Sequence, residues 1–214
     1  FDSAYYINKF KLTIDILNFN SMVIQTMDRN SIENAIENLT ENGKSITQLF
    51  AKEICRLYDN LNTHKTAYDI NSENNFVFGL FGIMDFEKIL RFVSENSGDK
   101  VVSIIFSLYL ANYLAFSRMD NIQYYYDYKN LVMKEIDNLE VDIIRSHTIN
   151  LIRYCIIKSK LNNCDESDLF KKERFEIYNL TLENKFYKSD ISPYIPIELY
   201  RPALKLGLEL KKYD

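Results

Sequence analysis

Apolar side chains recur along this chain at steps of three and four residues, the period of an amphipathic helix. In residues 3–19 the pattern is carried by Tyr6, Phe10, Ile14 and Leu17. Residues 45–61 repeat it in a longer stripe of Ile46, Leu49, Phe50, Ile54, Leu57, Tyr58 and Leu61. Both segments are therefore predicted to be helices with one face buried.

Short polar residues indicate where two of these helices begin and end. Asn30 with Glu33 resembles a capping box that opens a helix. Gly43 is predicted to end this helix, because glycine adopts the left-handed conformation common at helix ends. Ser45 is then expected to cap the next helix. The first of the two helices is expected to bury Ile32, Ala35, Ile36 and Leu39.

Later in the chain, Asp85, Asp99 and Asp120 are each expected to start a helix, with Ser97-Gly98 closing the first of them. A polar segment at 62–75 predicts a loop and a weak break. The remaining predicted helices cover residues 76–83, 85–96, 99–118, 120–139, 141–161, 167–187 and 197–212.

Nine or ten helices with short links predict an all-α protein. Only five glycines and three prolines occur in 214 residues, which is too few turn residues for a sandwich or a doubly wound sheet. Short links place sequential helices side by side and antiparallel. We therefore expect an α-solenoid of stacked antiparallel helix hairpins, in one helical-repeat domain over 1–214.

Charge and cysteine content exclude several classes of protein. With 26 basic and 30 acidic residues the net charge is −4, so direct nucleic-acid binding by this segment is not expected. The apolar run 101–116 is shorter than the roughly 20 residues of a membrane span, so we expect a buried helix and no membrane association. Three cysteines without a C-x-x-C pair favour the cytoplasm. The start at Phe1, without a Met, predicts a fragment of a longer chain.

No catalytic, metal-binding or cofactor-binding residue is predicted. Both glycine-rich phosphate motifs are missing, and neither His64 nor His147 has the helical i, i+4 partner of a metal site. His147 and Cys155 lie eight residues apart, close enough on a helix to form a nucleophile pair, but the apolar neighbours of Cys155 favour a buried thiol.

Two groups of polar residues on apolar helices are candidates for binding a partner. Asn112 lies between Tyr109 and Tyr113, and a second polar stripe is formed by His147, Asn150, Tyr154 and Lys158. Each group has two interpretations. Asn112 either ties down a neighbouring segment or faces the groove of a solenoid, and the second stripe is either a solvated flank or part of that groove.

Several segments carry a family resemblance: Phe175-Glu176-Ile177-Tyr178, Leu182-Glu183, Ser192-Pro193-Tyr194, Ala203-Leu204-Lys205-Leu206 and the opening Tyr5 to Leu12. In these segments the chain resembles a group of uncharacterised bacterial tetratricopeptide-like proteins, which implies an α-solenoid and no catalytic residue. More distantly, it is similar to the tetratricopeptide domain of peptide-sensing regulators of the Rgg and PlcR type. In those regulators the tetratricopeptide domain follows an N-terminal DNA-binding domain, and asparagines in its groove hold a signalling peptide.

The sequence thus predicts a non-catalytic helical-repeat scaffold that binds a protein or a peptide, with no cofactor. Its predicted partner-binding residues are Tyr109, Asn112, Tyr113, His147, Asn150 and Tyr154. Two other functions stay open: the ligand-sensing domain of a peptide-regulated transcription factor whose DNA-binding domain is missing, and an enzyme whose site converges from distant helices.

Overall fold

The structure is a computed structural model that describes residues 7–8, 11–12, 14–15, 29–68, 76–161, 164–188 and 193–211. Within these ranges the protein is helical and contains no strand, which confirms the all-α prediction for this part of the chain. The helices are α1 (Arg29–Tyr68), α2 (Phe76–Ile83), α3 (Phe86–Asn96), α4 (Lys100–Ser117), α5 (Gln123–Lys134), α6 (Val141–Leu161), α7 (Cys164–Glu183) and α8 (Ile197–Glu209).

The chain divides into two compact units, Phe1–Phe106 and Ser107–Asp214. The division falls inside α4 rather than at the predicted break. Residues 62–68 of that predicted loop are helical and end α1, so the loop prediction is wrong there. Residues 69–75 lie outside the described residues, as do Tyr6, Phe10 and Leu17 of the predicted helix over 3–19.

In the first unit, α1 continues through Gly43 for 40 residues, so the predicted stop at this glycine is wrong. A glycine costs a helix only about 1 kcal/mol relative to alanine, and propagation from both sides offsets that cost. Polar side chains near the glycine bond back to the preceding turn: Ser45 Oγ donates to the carbonyl of Glu41 over 3.0 Å, and Thr47 Oγ1 to that of Gly43 over 2.8 Å.

The buried face of α1 differs from the predicted apolar stripe at most positions. Ile36 is 57% exposed and Leu39 46% exposed, so the prediction that they are buried is wrong, and the side chains of Ile32 and Ala35 lie outside the described residues. Ile46, Phe50 and Leu57 are also exposed, whereas Ile54 is buried as predicted. The other buried side chains in the described part of α1 are Asn42, Ser45, Gln48, Ala51 and Cys55. This face meets the neighbouring helices, since α1 packs against α2 and α3.

Two of the three predicted aspartate starts are confirmed. Asp85 accepts a hydrogen bond from the amide of Lys88 over 3.1 Å, and Asp99 Oδ1 accepts from the amides of Val101 and Val102. Gly98 closes the preceding helix in the left-handed region, with φ +72°.

Asp120 does not start α5. The helix begins at Gln123, whose amide donates over 3.0 Å to the side chain of Asn121, and it ends at Lys134 rather than near residue 139.

By length and composition, α4 is the one helix in the described part of the chain that could cross a membrane. Its side chains include Val102, Ile105, Phe106, Leu108, Asn112 and Ala115, all of which are buried against protein. These six side chains are one third of the residues of the helix.

In the second unit α6 and α7 are antiparallel and tied together at both ends. Arg145, early in α6, donates from Nε to the carbonyl of Phe186 beyond the end of α7 over 2.7 Å. At the other end, Ser167 Oγ of α7 donates to the carbonyl of Ser159 in α6 over 3.1 Å. Lys185 ends α7 in the left-handed region, with φ 57°, so this helix stops earlier than the predicted residue 187.

Alternate helices of this unit run in the same direction. Tyr109 and Phe116 of α4 meet His147 and Tyr154 of α6 in that order. Likewise Tyr125 and Lys129 of α5 meet Phe170 and Glu173 of α7 in that order. The direction of the chain therefore repeats from one helix pair to the next.

Candidate functional site

Four of the six predicted partner-binding residues lie in the interior of the second unit. Asn112, His147, Asn150 and Tyr154 are each at most 2% exposed, whereas Tyr109 and Tyr113 are half-buried. Because of this burial, the second stripe is not a solvated flank. These four side chains are closed off from solvent, which favours the interpretation of Asn112 as a structural tie.

His147 is held by a tyrosine on the neighbouring helix α5. The hydroxyl of Tyr128 lies 2.7 Å from its Nδ1 and also donates to its main-chain carbonyl over 3.3 Å. The ring of Tyr109 also packs against the imidazole, with the ring centroids 5.5 Å apart. Burial lowers the pKa of His147 to about 4, so the imidazole is neutral at pH 7.

Asn150 and Tyr154 also have partners inside the unit. Asn150 Oδ1 accepts a hydrogen bond from Arg153, one turn later in α6, over 3.0 Å. The Tyr154 ring stacks on that of Tyr125 with 4.7 Å between centroids, and Phe116 meets it edge-on at 5.6 Å. Tyr154 thus packs against two other helices, whereas the hydrogen bond of Asn150 lies within α6.

A polar cluster lies beside these rings; it consists of Tyr125, Lys129, Cys155, Glu173 and Glu176, and we call it the Tyr125 cluster. Tyr125 and Cys155 are buried, Lys129 and Glu173 are mostly buried, and Glu176 is exposed. The Tyr125 hydroxyl lies 3.2 Å from the Cys155 sulfur and donates to Glu173 over 3.1 Å. Lys129 forms ion pairs of 2.5 Å with Glu173 and 3.0 Å with Glu176. The cluster joins α5, α6 and α7.

The thiol of this cluster is a poor nucleophile. Burial raises the pKa of Cys155 to about 12, against a smaller opposing effect of its hydrogen bond to Tyr125. A thiol that stays protonated reacts slowly, because the thiolate is the nucleophile. His147 and Cys155 pair with different tyrosines, Tyr128 and Tyr125, rather than with each other.

No group of three or more metal-ligating side chains occurs among the described residues. Cys55 and Cys155 are both buried free thiols. Burial also raises the pKa of Cys55 well above its usual value, with a smaller contribution from Asp59. The side chain of Cys164 lies outside the described residues.

A cleft of about 450 Å³ opens between α6, α7 and α8, and we call it the α6–α8 cleft. The side chains that line it are mostly aliphatic and aromatic. One of these side chains, Ile149, is 45% exposed. The lining residues are Arg145, Ile149, Ile152, Ile156, Arg174, Tyr178, Thr181, Tyr187, Pro196, Glu198, Leu199 and Pro202.

Two arginines line this apolar cleft, and they differ in their bonding. Arg145 is engaged by the carbonyls of Phe186 and Lys188 and by Asp142. Arg174 is half-buried, and within the described part of the chain its buried Nε has no hydrogen-bond partner. The α6–α8 cleft therefore combines an apolar surface with a cationic side chain whose Nε forms no hydrogen bond in the described part of the chain.

Sequence reasoning missed both the Tyr125 cluster and the α6–α8 cleft. One signal was available: Tyr125 and Lys129 lie four apart on one helix, and Glu173 and Glu176 three apart on another, so each pair shares a face. Nothing in the sequence shows that these two faces meet.

No family model, no curated protein and no solved structure matches this chain.

Proposed function

We propose that this chain is a non-catalytic helical-repeat module, and that the α6–α8 cleft binds a peptide segment of a partner protein. The cleft is the observation that carries the proposal. Its volume of about 450 Å³ lies within the roughly 300–1,000 Å³ range of ligand pockets. Such pockets are mostly apolar with a few polar groups, and this cleft has the same composition.

The order of the helices supports the helical-repeat part of the proposal. In the second unit α4 runs parallel to α6 and α5 parallel to α7, as in a stack of hairpins of the tetratricopeptide type. Helical repeats of this kind present extended surfaces to partner segments. The exposed Ile149 on α6 is an apolar side chain in the wall of the cleft that a bound peptide would cover.

The chemistry of the buried groups supports a role without catalysis. Cys155 is protonated and His147 is neutral at pH 7, and both are almost completely buried and do not line the α6–α8 cleft. Free thiols at Cys55 and Cys155 are in keeping with the proposed reducing, cytoplasmic location.

The proposal is tested by selecting peptides on the purified chain from random libraries in two formats, one with free C-termini and one fused at both ends. Peptides that bind in the cleft should lose at least tenfold in affinity on Ile149→Glu, because a carboxylate in the wall disfavours burial of an apolar side chain. Leu169→Glu is the matched control: Leu169 lies in the same unit, is 38% exposed and does not line the cleft.

Affinities are measured by isothermal titration calorimetry, with thermal unfolding of each variant as a check on folding. The cleft is not the binding site if both glutamate variants lose the same affinity for the peptides, or if Ile149→Glu leaves that affinity unchanged. If neither library yields a binder, the peptide-binding function itself is wrong.

A further inference from the structure

We infer that the α6–α8 cleft receives the free C-terminal carboxylate of its peptide, and that Arg174 binds this carboxylate. The inference rests on the proposed function and adds to it the chemistry of the ligand. It predicts a peptide that ends inside the cleft, with apolar residues before the terminus.

Arg174 is the observation from which the inference starts. A guanidinium stays charged at every physiological pH and offers five N–H donors in a planar fork that matches a carboxylate. Here the side chain is half-buried, and in the described part of the chain its Nε is buried without a hydrogen-bond partner. The Nε is closed off from solvent in this conformation, so an anion in the cleft reaches it after a rotation of the Arg174 side chain, which lines the cleft. The charge-assisted hydrogen bond that forms removes the free-energy cost of the unsatisfied donor.

Two other polar side chains of the α6–α8 cleft already have hydrogen-bond acceptors. Arg145 already donates to the carbonyls of Phe186 and Lys188, and the Thr181 hydroxyl donates to the carbonyl of Ile177 over 2.7 Å. Glu198, the one acidic residue in the lining, is exposed. The lining thus contains two cationic groups against one acidic group, which favours an anionic ligand.

The apolar walls of the α6–α8 cleft determine which residues can precede the carboxylate in the peptide. Ile149, Ile152 and Ile156 follow one another along α6 at steps of three and four, so they form a continuous aliphatic wall. A cleft of about 450 Å³ is near the lower end of the size range of ligand pockets, so it holds a few residues rather than a long segment. A chain end fits this space, with its last side chains on the isoleucines and its carboxylate at Arg174.

The test uses the tightest binder from the library with free C-termini, synthesised once as the C-terminal acid and once as the amide. Both are titrated into the whole chain by calorimetry. We expect the amide to bind roughly 10- to 100-fold more weakly, which is the effect of losing a charge-assisted hydrogen bond. Arg174→Met should weaken the acid by the same factor and leave the affinity of the amide unchanged.

Two controls separate binding from folding. Arg91→Met removes an arginine of the first unit that pairs with Glu87, and it should not change the affinity for either peptide. Arg174→Met should leave the thermal unfolding midpoint unchanged or raise it, because it removes a buried donor without a partner. Arg174→Lys keeps the charge without the fork and should bind the acid with intermediate affinity.

Three results would overturn the inference: equal affinities for acid and amide, an equal loss of both peptides on Arg174→Met, or a library with free C-termini that yields no binder. The first two leave the proposed function intact where the peptides remain sensitive to Ile149→Glu. A failure of both library formats overturns the proposed function as well, so the two failures are distinguishable.

Discussion

The hydroxyl of Tyr128 on α5 lies 2.7 Å from Nδ1 of His147 on α6, in the interior of the second unit. His147 is 1% exposed, so water does not reach the imidazole and the tyrosine hydroxyl provides its hydrogen bond instead. Protonation of the ring would place a charge in this interior, and that cost makes His147 a pH-dependent element of the fold.

The stability of the protein should therefore fall in mild acid. The pKa of His147 is 6.5 in the unfolded chain and about 4 in the folded chain, because burial disfavours the charged form. Between these values the unfolded chain binds a proton that the folded chain does not. The free energy of unfolding attributable to His147 is complete above about pH 6.5 and decreases by about 3 kcal/mol as the pH falls to about 4.

Urea unfolding across this pH range measures the decrease, and the ring proton signals of His147 in NMR report its titration directly. His147→Gln identifies those signals and should flatten the pH dependence between these two values. An imidazole that titrates near 6.5 in the folded protein would contradict the prediction.

Lys129→Met should destabilise the second unit by about 1–3 kcal/mol. The side chains of Lys129 and Glu173 are only 17% and 12% exposed, and removal of the lysine leaves a poorly solvated carboxylate beside Tyr125. Lys171→Met is the matched control, since Lys171 pairs with Asp168 at the surface and its removal should change the free energy of unfolding much less. Chemical denaturation measures the free energy of unfolding of both variants. Similar losses would mean that the ion pair in the Tyr125 cluster stabilises the protein no more than a surface ion pair does.

Asn150→Ala distinguishes a structural amide from one in a binding groove. Because the side chain is 2% exposed and accepts from Arg153, we expect a loss of about 1–2 kcal/mol in the free energy of unfolding. The affinity for a selected peptide, measured by calorimetry below the unfolding temperature, should not change. Tenfold weaker binding at unchanged stability would restore the groove interpretation.

Lys185→Gly should stabilise the protein by roughly 0.5–1 kcal/mol. The residue has φ 57°, where a side chain is strained and glycine is not. The same change at Lys172, within α7, should destabilise by about 1 kcal/mol because glycine weakens a helix interior. Thermal unfolding compares the two, and shifts in the same direction would show that the strain at Lys185 is not the controlling effect.

The sequence by itself determined the helices and several of their ends. The apolar period, the aspartates at 85 and 99 and the glycine at 98 act through neighbours within a turn, so their effect can be read from adjacent residues. The same local reasoning gave the wrong result at Gly43, because the persistence of a helix depends on propagation from both sides.

The tertiary structure decided which faces are covered. Nothing in the period of α1 shows that Asn42 is buried while Ile36 is exposed, since burial depends on the neighbouring helix. In the same way, Lys129 meets Glu173, and Arg174 enters an apolar cleft, through contacts between residues far apart in the chain. A helical pattern specifies the direction of each side chain around its own axis, but the partner on that side is set by how the helices pack.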